Sequence, residues 1–269
     1  MMVPPAISIL AGEPILDSQM RIPAFSFCWP SAWDLEAVVG TAGASLAWLR
    51  ALLGGEASFA ELDAEAERSA VGANGVRFHP HLAGATGPHW QESGRGAFTG
   101  LCLATTRGDL VRAVLEGVAF ELKLNLSVLA ELAGEPQEVI LFGGGARSRF
   151  WPQLLADVLG RPLAVAVLAD AAALGAAMLA AVAVGMHSTL GEAQRAMAAS
   201  PQWLEPDRQA ASAYQDILCP IPCSACWVAS PLTTESDACA SNRHASTRLR
   251  ACRLGQATGS LICHPPTRG

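Results

Sequence analysis

The sequence predicts an α/β fold, and three observations lead there. From residue 138 onward, a short apolar run, a glycine turn, a helical pattern, a second apolar run and a second helical pattern follow in the order β-α-β-α. The two runs, "EVILF" and "PLAVAVL", are apolar without alternation, as expected of strands covered on both faces. Upstream, Leu110, Val114, Val118, Leu122, Leu126 and Leu129 recur every three or four residues and write one continuous apolar stripe along a long helix.

The elements follow in chain order. "AISIL" at 6–10 and "AFSFCW" at 24–29 read as the strands of a hairpin, set off by proline and glycine. Residues 41–53, "TAGASLAWLRALL", predict a helix, and 58–70 predict a second, with Ser58 and Glu61 at capping-box spacing. "VRFHPHLAG" is a strand running into a loop, and 84–97 continue as a glycine-punctuated loop. The long helix spans 107–133. Thr106 and Asp109 can close its start as a capping box, and Gly134 and Pro136 end it. A strand at 138–142, the glycine turn, a helix from about 149 to 159 closed by Gly160, a strand at 162–168 and a helix at 171–184 stopped by Gly185 come next. Two or three short helices fill 189–215.

Composition narrows the function classes. Half of the 269 residues are apolar and the mean hydropathy is +0.29, enough to bury a core. A formal charge of −6 with no basic stripe argues against nucleic acid as a partner. The first 20 residues lack a basic head before an apolar run, so no signal peptide is read. The most apolar stretch, "PLAVAVLADAAALGAAMLAAVAVG", is interrupted by Asp170, and its halves fall short of the roughly 20 residues a membrane span requires. Cys28 and Cys102 are the only cysteines before residue 218, which reads as a reduced, cytoplasmic body.

Residues 218–269 read differently from the domain at 1–217. The remaining six cysteines lie there, with five arginines, two acids and a single aromatic residue, Trp227. No periodicity persists. The composition is that expected of out-of-frame translation or of a disordered tail. The alternative is a small zinc module using Cys219, Cys223, Cys226 and either Cys239 or His244, although a second matching Cys-x2-Cys pair is absent.

The chemistry-bearing feature is "EVILFGGGARSRFWPQLLADVLG". Glycines between a strand and a helix let backbone approach a ligand closely, and the N–H groups at a helix start face anions. Gly143, Gly144 and Gly145 supply the approach, and Ser148 can cap the helix or donate its hydroxyl. Neither G-x-G-x-x-G nor a G-K-[ST] loop is present, so the turn alone leaves an anion site and a tight structural turn both open.

The surrounding motifs go further. "GRGAFTGLCLATTRGDLVRAVLEGVAFEL" resembles the second signature of FGGY-family carbohydrate kinases. "ILFGGGARSRFWPQLLADVLGRPL" is similar to their adenine-side glycine motif, and "AAALGAAMLAA" to the helix after it. "FSFCWPSAW" and "HLAGATGPHW" align in order, so that the resemblance covers about residues 10–215, with xylulose kinases the nearest branch.

That resemblance implies an actin-like, RNase-H-like ATPase domain, the second domain of a sugar kinase, incomplete at its N-terminus. It implies ATP and Mg2+ as cofactors and a sugar as substrate of the intact enzyme. Gly143, Gly144, Gly145, Ala146 and Ser148 would lie against the nucleotide. Arg147 and Arg149 follow the motif but read as solvated loop residues, and Glu116 and Asp157 as organisers of the domain. His79, His81 and His89 cluster in sequence only and read as loop residues rather than a metal site.

In the family the catalytic base is an aspartate in a glycine-rich stretch that would precede "AISIL", where this sequence has only "MMVPP". Neither Asp17 nor Asp34 has that context, so no catalytic residue is assigned. Two departures stand out: the Gly-Glu-Arg common among xylulose kinases is replaced at Gly84–Pro88, and the match stops near residue 217. The expectation is a fragment of a kinase, inactive alone, with an open sheet edge where a central strand would run. The alternatives are a non-catalytic nucleotide-binding or interaction domain, or one chain of a split kinase whose N-terminal domain is a separate partner.

Overall fold

The computed structural model describes residues 6–11, 33–88, 90–168 and 170–218. The chain divides into two units, Met1–Ile9 with Glu36–Cys219, and Leu10–Leu35 with Pro220–Gly269. The first carries nearly every described element. "AFSFCW", His89 and the cysteine-rich stretch with Cys219, Cys223, Cys226, Cys239 and His244 lie outside the described residues.

A 27-residue helix organises the first unit. In chain order the elements are β1 (Ala6–Ala11), β2 (Trp33–Val38), α1 (Ala42–Leu52), α2 (Phe59–Arg68), β3 (Arg77–His79), β4 (Ala97–Thr99) and α3 (Arg107–Ala133). After them come β5 (Ile140–Leu141), a 3-10 turn (Gly144–Arg147), α4 (Trp151–Leu159), β6 (Leu163–Val165), α5 (Ala171–Ala183), α6 (Leu190–Met197), β7 (Gln202–Leu204) and α7 (Arg208–Leu218). The long helix, α3, matches its predicted bounds, and both predicted capping boxes form: Thr106 with Asp109, and Ser58 with Glu61. Gly134 ends α3 at φ +86, a conformation costly for any residue with a Cβ.

Val111, Val114, Val118 and Ala119 of α3 are buried in one apolar cluster with Leu49, Leu62, Phe78, Leu154, Leu155 and Leu163. Two glycines let neighbouring chain come close: a Cβ at Gly108 would stand 2.6 Å from the Glu65 carbonyl of α2, and one at Gly117 would collide with the Phe78 carbonyl of β3.

The described strands form three small sheets. β1 pairs with β2, β3 pairs antiparallel with β4, and β5-β6-β7 form the third, with β5 parallel and β7 antiparallel to β6. The predicted β-α-β-α order is present, but the strands are shorter than the apolar runs. β6 is buried along its length, whereas Ile140 of β5 and the following Phe142 are exposed, so β5 is not covered on both faces. Strands β4 and β7 are three residues long, too short to be read from sequence, and the six-residue β2 lies outside the predicted strands.

Candidate functional site

β5 and β6 run parallel, in register Ile140↔Ala164 and Leu141↔Val165. Their carboxyl ends therefore lie side by side, the place where ligands bind in parallel α/β sheets. The glycine turn leaves β5 at that end. Gly143 has φ +82 and ψ −154, a backbone region essentially reserved for glycine, and a Cβ there would meet nothing within 4 Å. Its approach face is open. Gly144 is also exposed. The N–H groups of Gly144 and Gly145 open the 3-10 turn, where the geometry provides no intrahelical acceptor for them.

The remaining positions of the turn are held from behind. A Cβ at Gly145 would stand 2.7 Å from Trp151 Cε3, so this glycine makes room for the indole. Ala146 is buried as a whole residue and seats the turn in the core. Ser148 is engaged within the protein. Its Oγ accepts from the N–H of Trp151 at 2.8 Å and of Phe150 at 3.2 Å, closing the start of α4 two residues later than predicted. It also donates to Asp63 Oδ2 of α2 at 2.7 Å. Burial pushes the Asp63 carboxyl up from its ordinary range, and the bond from Ser148 opposes that shift. Arg147 and Arg149 are exposed.

Behind the turn lies a buried charged network that sequence reading approached only through Glu116. Glu116 Oε1 accepts from Arg112 Nε at 2.7 Å, from the Gly72 N–H at 2.9 Å and from the Tyr214 hydroxyl at 2.8 Å. Arg112 also donates to the Ser69 carbonyl at 2.6 Å and to Tyr214 at 2.8 Å, and its guanidinium lies 5.2 Å from the centre of the Phe150 ring. Burial, reinforced by the Glu116 charge, pushes the Tyr214 hydroxyl above its ordinary pKa. Asp157 accepts from Gln153 Nε2 at 2.8 Å and from the Asp207 N–H at 2.7 Å, which ties α4 to the approach to α7. Glu116 and Asp157 thus join elements far apart in sequence, and neither lies in the glycine turn.

His79 and His81 stand with ring centres 6.4 Å apart, and His81 Nε2 is 3.8 Å from Glu121 Oε1. Among the described residues no group of three or more His, Cys, Asp or Glu side chains is placed to hold a metal ion, and no helix is long and apolar enough to cross a membrane.

Residues 8–184 match the model of the FGGY family of carbohydrate kinases, C-terminal domain. The chain belongs to this family. It is 33% identical over 193 residues to the xylulose kinase of Staphylococcus xylosus, covering 72% of this chain and 40% of that protein. It is 39% identical over 158 residues to the glycerol kinase of Acaryochloris marina, covering 58% of this chain and 31% of that protein. The solved structure of a ligand-bound xylulose kinase from Lactobacillus acidophilus superposes with a TM-score of 0.69 at 26% identity, over 80% of this chain and 43% of its own. The fold is accordingly that of the second, actin-like ATPase domain of FGGY sugar kinases. The chain spans about 40% of the length of the xylulose kinase it matches.

Proposed function

We propose that this chain carries the nucleotide-facing part of an ATP-dependent, cytosolic sugar kinase, with Gly143, Gly144, Gly145, Ala146 and Ser148 forming the nucleotide edge. The observation that carries this reading is the open backbone at Gly143, beside the N–H groups of Gly144 and Gly145, which have no intrahelical acceptor, at the carboxyl end of the parallel β5-β6 pair. These features suit a group rich in acceptor oxygens. ATP, bound with Mg2+, supplies the phosphoryl group passed to a sugar hydroxyl.

Each residue of the turn has a distinct part in this reading. Gly143 and Gly144 bring the main chain close to the nucleotide. Gly145 lets Trp151 seat beneath the turn, and Ala146 anchors it in the core. Ser148 acts indirectly, since its hydroxyl already joins the α4 start to Asp63 and so holds the turn's exit. Mg2+ is bound largely through nucleotide phosphates and waters in such sites. A xylulose-like sugar is the proposed acceptor, supported by xylulose kinases among the relatives.

Calorimetry with ATP tests the nucleotide edge. The expected result is weak binding that Gly144→Asp abolishes, because the new carboxylate repels the phosphates. Absence of heat at millimolar ATP, or binding unaffected by Gly144→Asp, would overturn the assignment.

A further inference from the structure

The exit of the glycine turn bonds to a residue that lies outside it. Asp63 stands midway along α2, on an inward stripe that is otherwise apolar: Leu62 and Ala66 are buried beside it. Asp63 is itself buried, with 8% of its surface exposed. A buried carboxylate ordinarily sits against a cation. No lysine, arginine or histidine forms an ion pair with Asp63 among the described residues. It meets the turn instead. Ser148 Oγ donates to Asp63 Oδ2 at 2.7 Å, and the main-chain N–H of Arg149 also bonds to the carboxylate. Two donors from consecutive residues thus converge on one side chain.

The helix that carries Asp63 is fixed in place. Arg107, at the start of α3, donates through Nε to Glu65 Oε2 at 2.6 Å. Further along, Arg112 donates to the Ala66 carbonyl at 3.3 Å and to the Ser69 carbonyl at 2.6 Å, and Ser69 Oγ donates to Asp109 Oδ1 at 2.6 Å. With the close approach at Gly108, these contacts hold α2 on α3 from Glu65 to Ser69. The place of α2 therefore does not depend on the turn. The turn has fewer holds of its own. Gly143 and Gly144 are exposed, Gly145 sits over Trp151, and Ala146 is buried. The contact to Asp63 comes last, immediately before α4 begins.

We propose that Asp63 is a positioning residue of the nucleotide edge: by accepting from Ser148 and Arg149 it fixes the exit of the turn, and through it the direction in which the Gly144 and Gly145 N–H groups face a nucleotide. A carboxylate suits this task because it only accepts, and bonds to a charged acceptor are stronger than neutral ones. Burial opposes the charge, and the two bonds sustain it. Asp63 acts through the turn and does not itself touch the nucleotide. For its functional consequence the inference rests on the nucleotide reading above.

NMR of the purified chain with 15N-labelled glycine reads the turn directly, and calorimetry reads ATP affinity. Asp63→Ala should displace the Gly144 and Gly145 amide resonances and weaken ATP binding about fivefold. Asp63→Asn keeps an accepting oxygen for Ser148, so it should displace the same resonances less, and it supplies the reading if Asp63→Ala does not fold. Glu65→Gln on the same helix loosens the Arg107 pair and is the control for plain destabilisation. It should lower the urea midpoint and leave both amides and the ATP affinity in place. Amides that stay put in both Asp63 variants, or that move no more than in Glu65→Gln, would overturn the proposal. So would displaced amides with an unchanged ATP affinity. A parent chain that binds no ATP would count against the nucleotide edge, while the amide resonances decide separately whether Asp63 sets the turn.

Discussion

Tyr214 donates its hydroxyl proton to Glu116 Oε1 at 2.8 Å across 98 residues of sequence, and both side chains are fully buried. This bond fastens α7 to α3 behind the glycine turn. Arg112 completes the arrangement by donating to both partners. The core of the unit is therefore held at its centre by one ion pair whose accepting oxygen is shared three ways.

Removing one member leaves the others without compensation. Tyr214→Phe should cost about 1–3 kcal/mol, the penalty for stranding buried hydrogen-bonding groups. Glu116→Ala should cost more, about 3–5 kcal/mol, because the buried Arg112 charge is then unpaired. Urea unfolding of the two variants checks the order. A Glu116→Ala chain as stable as Tyr214→Phe would show that Arg112 reaches water when its partner is lost.

A pH dependence follows from Glu121. Burial pushes its carboxyl up from 4.5 to about 7. Between those values the unfolded chain has released the proton and the folded chain keeps it, so this group lowers stability as pH rises from about 4.5 to 7. His79 acts oppositely: burial first, then the neighbouring His81 and Arg77, hold it down at about 4 against an ordinary 6.5, so its contribution is lost as pH falls through that window. Glu121→Gln removes one slope and leaves the other. The variant should match the parent near pH 4 and exceed it at pH 8, by on the order of 2–3 kcal/mol. Midpoints measured at both pH values with no change in their difference would refute the assignment.

The glycine turn contains two glycines needed for different reasons. Gly143→Ala forces a side chain into a backbone region that disfavours it, costing about 1–3 kcal/mol. Gly145→Ala drives a methyl into Trp151, with a similar cost of about 1–3 kcal/mol. A double-mutant cycle separates them. Trp151→Leu should relieve Gly145→Ala by about 1 kcal/mol and leave the cost of Gly143→Ala unaltered. Equal coupling at both positions would mean that Trp151 does not define the room at Gly145.

Ser148 joins the turn to α2 through Asp63. Ser148→Ala removes the cap of α4 and strands a half-buried carboxyl, and should cost about 1–2 kcal/mol. Adding Asp63→Asn should recover part of that loss, since the neutral amide tolerates the site without a donor. Additive losses in the pair, read from thermal unfolding, would disconnect the two residues.

Much of this architecture is written locally. The stripe from Leu110 to Leu129 and the Thr106–Asp109 box specify α3 without reference to the rest of the chain, because helix periodicity and capping act over three or four residues. The motif around Gly143–Gly145 located the candidate site for the same reason: the glycines, the strand before them and the helix after them are contiguous. What sequence could not show are features that exist only through pairing. β4 and β7 are three residues long and are defined by their neighbours. Ser148 meets Asp63 from 85 residues away, and Glu116 finds Tyr214 only when α7 folds back on α3. The exposure of α5 has the same origin. Its apolar sequence alone describes a buried helix, yet Ala181 is the only residue buried in it, because burial is decided by what stands beside a helix in three dimensions.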